Sequence, residues 1–121
     1  MTLTAVIPNV FYEDVEVGIA FFCDALGFRN VYRAEDENLC IVRRDATCFH
    51  LLKNAEVARQ DRPEFRIATD DIDAYHREIV ARAPHALHPN GRNVTDKPWG
   101  LREFALLDPT GVCVIVEQPI E

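Results

Sequence analysis

The chain has 121 residues, a single-domain length at which roughly two-thirds of the unfolded surface is buried on folding. With 48% hydrophobic and 27% charged residues it is excluded from the disordered and low-complexity classes. Thirteen basic against twenty acidic residues give a net charge of −7, which argues against nucleic-acid binding and suits a neutral or cationic small molecule.

Residues 4–11 (Thr-Ala-Val-Ile-Pro-Asn-Val-Phe) read as a first strand, with Pro8 marking an edge or bulge. Asp14 is placed to cap a helix, Glu13 and Glu16 add charge of the sign its start prefers, and Val15, Ile19, Phe22 and Leu26 form its apolar stripe. Gly27 then supplies the left-handed residue that ends it. The period shortens over 28–33, 39–43 and 47–52, three strands at hairpin spacing. Residues 53–63 form a polar connector without apolar periodicity. The pattern then repeats: a strand at 65–69, and a helix capped by Asp70 or Asp71, carrying Ile72, Tyr75 and Ile79 and ended by Pro84. A loop containing Asn90-Gly91 and Pro98-Trp99-Gly100 follows, then strands at 101–107 and 112–117 around an Asp-Pro-Thr-Gly turn.

The expectation is therefore an α+β fold: one domain over 1–121, built of two tandem βαβββ modules at about 1–53 and 64–121, with a connector at about 54–63. The modules form a curved antiparallel or mixed sheet with helices on the outer face, leaving a concave face for a small molecule. Cys23, Cys40, Cys48 and Cys113 are widely spaced in apolar stretches and read as buried free thiols. No apolar run approaches the ~20 residues that span a bilayer, and no secretory signal is evident, so a cytoplasmic location and no membrane partner are expected.

No Gly-x-Ser-x-Gly elbow or phosphate-cradling loop is present, and no catalytic residue is assigned. The acidic clusters Asp70-Asp71 and Glu35-Asp36-Glu37 read as a helix cap and a solvated hairpin tip. His85 and His88 flank prolines in a loop, and His76 belongs to the second helix. His50 alternates with Cys48 and Leu52, so these three share one strand face, where His50 is either a pocket contact or an ordinary hydrogen-bonded histidine. Trp99, held in a Pro-Trp-Gly turn, offers stacking area at low entropic cost, or else lids the core.

Four segments, Phe21-Phe22…Leu26-Gly27-Phe28, Ala68-Thr69-Asp70-Asp71-Ile72, Pro98-Trp99-Gly100-Leu101-Arg102-Glu103 and Leu107-Asp108-Pro109-Thr110-Gly111, resemble in order and spacing the vicinal oxygen chelate superfamily of glyoxalases, bleomycin-resistance proteins and dioxygenases. The resemblance implies paired βαβββ modules and a homodimer with two sites. In the family's metal enzymes, ligands fall at positions matching Ile7, Glu64 or Phe65, and Ile115, with His50 near a further one. Ile7 and Ile115 are unable to ligate, so no metal and no cofactor are expected. The resemblance is nearest to the metal-free bleomycin-resistance group, and it implies a binding protein that sequesters a cationic or aromatic antibiotic or toxin in dimer grooves. Its contact residues would be Asn9, Phe11, Tyr32, His50, Trp99 and Glu117. The alternative is a metal-dependent lyase or dioxygenase using a rearranged set of His50, Glu64 and Glu117.

Overall fold

A computed structural model describes residues 1–36, 38–60 and 62–121. The first module runs β1 (Asn9–Tyr12), α1 (Val15–Ile19), a π-helical segment (Ala20–Ala25), β2 (Arg29–Arg33), β3 (Leu39–Arg44) and β4 (Thr47–Lys53). A connecting helix, α2 (Ala55–Gln60), leads into β5 (Glu64–Ala68), α3 (Ile72–Arg82), a 3₁₀ turn (Pro84–Ala86), β6 (Thr95–Asp96), β7 (Leu101–Leu107) and β8 (Cys113–Pro119). Each module closes a four-stranded mixed sheet, ordered β1-β4-β3-β2 and β5-β8-β7-β6. In both, the first strand pairs in parallel with the last, and the remaining pairs are antiparallel.

The helix starts behave as their sequence requires. The Asp14 carboxylate accepts from the Glu16 amide at 3.0 Å, and that of Asp71 from the Ala74 amide at 3.1 Å. The following residues, Val15 and Ile72, are buried in equivalent fashion. The first helix buries its expected stripe but is not α-helical throughout. It widens to π geometry after Ile19, and Gly18 joins Val15 and Ile19 against the core, so close to the Tyr12 ring that a Cβ there would lie 2.5 Å from it. Gly27 ends the helix at φ +79°, and the Phe28 amide returns to the Phe22 carbonyl.

Three other expectations are corrected. The first strand begins at Asn9, not residue 4: the pairing with β4 starts at Asn9 opposite His50, and Pro8 before it has no N–H to extend the ladder. The connector is helical over Ala55–Gln60; its single buried side chain, Ala58, is too small to register as an apolar period. Cys40 and Cys48 are buried thiols, whereas Cys23 and Cys113 are half-buried, and burial pushes the Cys23 thiol up to about 11. The hairpin tip carries Asp36, whose carboxylate accepts from the Asn38 amide, while Glu37 lies outside the described residues. Among the described residues, no helix is long and apolar enough to cross a membrane.

Each sheet carries its helices on one face, and those faces meet. Val10, Phe49 and Leu51 of one module share a single core with Phe22, Ile72, Phe104, Leu106, Val114 and Val116. The Phe49 and Phe65 rings pack edge to face at 5.2 Å across the module boundary. With their helix-bearing faces buried in one core, the sheets present their other faces outward.

Two polar clasps hold this arrangement. In one, Arg44 of β3 grips Glu78 of α3 through both guanidinium nitrogens (2.5 and 2.9 Å) and donates to the Leu26 carbonyl, which also accepts from the Tyr75 hydroxyl at 2.6 Å. In the other, the fully buried Tyr12 hydroxyl donates to Asp108 at 2.7 Å, 96 residues away. Arg62 lies over the Tyr12 ring and donates to the carbonyls of Phe11 and Ala58 and to the Thr110 hydroxyl.

The hydrogen bonds from Arg44, reinforced by Arg82, hold the Glu78 carboxyl at about 2 against the resistance of burial. A folded-state pKa below the unfolded one contributes stability that is complete above the unfolded value and lost as pH falls through the folded one. Discounted for the partial exposure of the pair, Glu78→Gln is expected to remove about 1–2 kcal/mol of stability at pH 7. It should also flatten the loss of stability between pH ~4.5 and ~2, as read from urea unfolding midpoints across that range.

Candidate functional site

The outward face of the first sheet is written by strand alternation. In β4 the inward residues are Phe49 and Leu51, so Cys48, His50 and Leu52 face outward together. Register then sets Asn9, His50, Ile41 and Tyr32 in one row across four strands, with Tyr32 brought into line by a bulge in β2. Phe11, Leu52 and Leu39 form the adjacent row. Four of the six expected site residues thus share one sheet face, with an aliphatic floor between an amide, an imidazole and a half-exposed phenol.

The other two lie on the second sheet. Ala68, Glu117, Glu103 and Thr95 form its outward cross-strand row. The Trp99 indole N–H donates to Glu103 Oε2 at 2.6 Å, and Arg66 donates to the same oxygen at 2.8 Å and to Glu117 Oε1 at 3.2 Å. Burial alone would raise the Glu103 pKa, yet the hydrogen bonds from Trp99 and Arg66 prevail and hold it below the usual carboxylate range. Trp99 remains 60% exposed, so it is an open aromatic platform rather than a lid over the core. It rests on a turn whose Gly100 adopts φ +88°, a conformation that disfavours any other residue. Beside this cluster, Glu64, His88, Asn90, Thr95, Cys113 and Ile115 line a cleft of about 190 Å³.

Glu103 and Arg66 are functional candidates that sequence reasoning missed. Glu103 is 6% exposed, a near-buried carboxylate on a sheet face that looks to solvent. Its signal was present in the alternation Leu101, Glu103, Ala105, Leu107, where one acid interrupts an apolar face four residues after the only tryptophan. Arg66 occupies the matching outward position of β5, opposite Ile115.

Two of the other histidines are accounted for locally. His76 packs edge-on against Phe104 and shares a hydrogen bond with the Arg92 carbonyl, and His88 Nδ1 accepts from the Asn90 amide. Among the described residues, no group of three or more His, Cys, Asp or Glu side chains is arranged to hold a metal ion. His50 belongs to a different sheet from Glu64 and Glu117, and Glu117 is engaged by Arg66, so the alternative metal set does not converge within one chain. Phe65 points inward against Phe49, and Ile115 occupies mid-β8, so neither position supplies a ligating atom.

Comparison with known proteins bears on this arrangement. Residues 4–116 match the family model described as the Glyoxalase/Bleomycin resistance protein/Dioxygenase superfamily. The chain belongs to that superfamily. A bleomycin resistance protein of Geobacillus stearothermophilus is 24% identical over 95% of this chain and 96% of its own length. The bleomycin-binding protein of bleomycin-producing Streptomyces verticillus, solved with copper(II)-bleomycin, superposes with a TM-score of 0.75 at 27% identity, covering 96% of each chain. A lactoylglutathione lyase from Agrobacterium tumefaciens shares the fold at 18% identity and a TM-score of 0.71, covering 97% of this chain and 95% of that one. The superfamily fold thus carries both binding proteins and enzymes, and the residues on the sheet faces must decide between them.

Proposed function

We propose that the chain is a metal-independent binding protein that sequesters a cationic or aromatic antibiotic or toxin in grooves built between two copies. The observation that carries this reading is the cluster of Trp99, Glu103, Arg66 and Glu117: an exposed indole hydrogen-bonded to one of two carboxylates that share one guanidinium. The two carboxylates and the guanidinium leave one negative charge, which Lys97 balances from 6.0 Å over the indole centroid, and the rest of the indole offers stacking area to a flat ring. Sequestration needs no bond to break, only a complex stable enough to lower the free concentration of the ligand.

The geometry of the faces supports a homodimer. A groove that encloses a ligand needs two walls. Within one chain the two outward faces belong to separate sheets, so Asn9, Phe11, Tyr32 and His50 of one copy would close a groove with Trp99 and Glu117 of another. A two-fold dimer makes two such grooves, each repeating the same contacts. The bleomycin-bound relative supports small-molecule capture by this fold. Four thiols with no disulfide among them suit a reducing compartment, the cytoplasm.

Thermal unfolding of metal-stripped protein tests the reading. A ligand that binds only the folded state stabilises it by about 2.7 kcal/mol at a hundredfold excess over Kd. A bleomycin is expected to raise the unfolding temperature, and Mn, Ni or Zn salts alone to leave it unchanged. A large rise with a metal alone, abolished by His50→Ala, would contradict the proposal and favour a metalloenzyme.

A further inference from the structure

Lys97 stands over the indole that the proposed ligand would use. Its Nζ lies 6.0 Å from the centroid of the Trp99 ring, at the outer reach of a cation–π contact. The backbone imposes this placement. The Lys97 carbonyl accepts from the Gly100 amide at 3.1 Å, and the Lys97 amide donates to the Leu101 carbonyl at 2.8 Å, so Lys97 and Trp99 belong to one tight turn with Pro98 between them.

Lys97 is half-buried and lines the cleft that also holds Glu64 and Glu103. Yet its ammonium forms no hydrogen bond or ion pair among the described residues, whereas Arg66 and Arg102 are each engaged by two carboxylates. Glu103 and Glu117 bring two negative charges and Arg66 and Lys97 two positive ones, so the cluster is balanced in the free chain. The residue type matters too. Eleven of the thirteen basic residues are arginine, and the position over the indole is one of the two lysines. An arginine there would lay a planar guanidinium on the ring. Lysine offers a compact, strongly hydrated charge on a flexible stem, which is the easier of the two to displace.

We propose that Lys97 determines specificity as a displaceable stand-in for the positive charge of the ligand. In the free protein it balances the carboxylates and covers part of the indole. A ligand takes its place only by releasing the ammonium to water, so it must offer more than a charge. A compact ammonium replaces one ammonium with another and gains nothing. A flat ring that carries a positive charge restores the balance and adds stacking area on the indole. Release breaks no other contact, because the ammonium has no carboxylate of its own and the turn is held by backbone. The ligand class is therefore a planar aromatic cation. The inference rests on the site at Trp99 proposed above and narrows what that site accepts.

The two lysines make the test direct. Lysine-selective ¹³C labelling gives ε-methylene signals from Lys97 and from Lys53, which is exposed at the end of β4 and serves as the reference. The Lys97 signal is expected upfield of that of Lys53, shifted by the indole ring, and level with it in Trp99→Ala. Proflavine, a planar cation, should release Lys97 from its upfield position, and tetramethylammonium at equal concentration should not. By calorimetry, Lys97→Met is expected to bind proflavine about tenfold more tightly than the native protein, and Lys97→Arg about three- to tenfold more weakly. A Lys97 signal level with Lys53 in the native protein, or equal affinities in all three proteins, would overturn the proposal and leave the site at Trp99 standing. Release by tetramethylammonium as readily as by proflavine would overturn it as well. Proflavine bound by none of the three would contradict the site itself, and the inference with it.

Discussion

Replacing Asp108 with alanine is expected to lower folding stability by about 3–5 kcal/mol, the largest loss of any single polar substitution in the protein. Its carboxylate accepts four hydrogen bonds: from the Tyr12 hydroxyl, the Thr110 hydroxyl and amide at 2.7 Å each, and the Val112 amide at 3.0 Å. At 3% exposure, water does not replace the lost acceptor, and the buried Tyr12 hydroxyl and Val112 amide are left unpaired. Asp108→Asn keeps one acceptor oxygen and the shape of the turn, and Tyr12→Phe removes one donor, so each should cost about 1–2 kcal/mol. Because the bond joins the two modules, Asp108→Ala should also broaden the urea transition if the modules begin to unfold separately. Equal midpoints for Asp108→Ala and the native protein would show that the modules are held by the apolar core alone.

Trp99→Ala is expected to weaken ligand binding by about ten- to a hundredfold while changing stability by less than about 1 kcal/mol. The two effects separate because the indole is largely exposed in the folded chain and its burial is deferred to the complex. Glu103→Gln tests the charge beneath it. The amide still accepts from the indole, so Trp99 stays in place, but the cluster loses one of its two negative charges and a cationic ligand part of its attraction. Since Trp99 is the only tryptophan, its emission reports on the same event: bleomycin should quench it in the native protein and in Glu103→Gln, with a weaker apparent affinity in the latter. An unchanged Kd in Trp99→Ala by calorimetry would remove the indole from the site.

Much of the fold is legible because the local rules agree with one another. Caps at Asp14 and Asp71, the Gly27 stop, the alternation in β3, β4, β7 and β8, and the Asp-Pro-Thr-Gly turn are all short-range signals. What escapes is whatever depends on distant partners. Residues 4–8 have the alternation of a strand, yet β4 supplies partners only to Asn9–Tyr12. The Tyr12–Asp108 bond spans 96 residues, and neither residue's neighbours hint at the other. For the site, alternation assigns Asn9, Phe11, Tyr32 and His50 to one face and Glu117 to an equivalent one. It is silent about the direction in which each sheet faces once both pack on a shared core. Glu103 was hidden for a similar reason: its neighbours Arg102 and Phe104 point inward to Asp73 and the core, and only β7 register turns the carboxylate toward Trp99 and Arg66.

Complementation between two damaged chains tests the central claim, that one groove takes its walls from two protomers. One chain carries Tyr32→Ala with His50→Ala and keeps its second sheet intact. The other carries Trp99→Ala and keeps its first. Neither homodimer should bind bleomycin with native affinity, because every groove in it has one damaged wall. In the mixed dimer one groove combines the two intact faces, and calorimetry should recover native affinity at one site per dimer. If mixing restores nothing, the site lies within a single chain and the account of the groove is wrong.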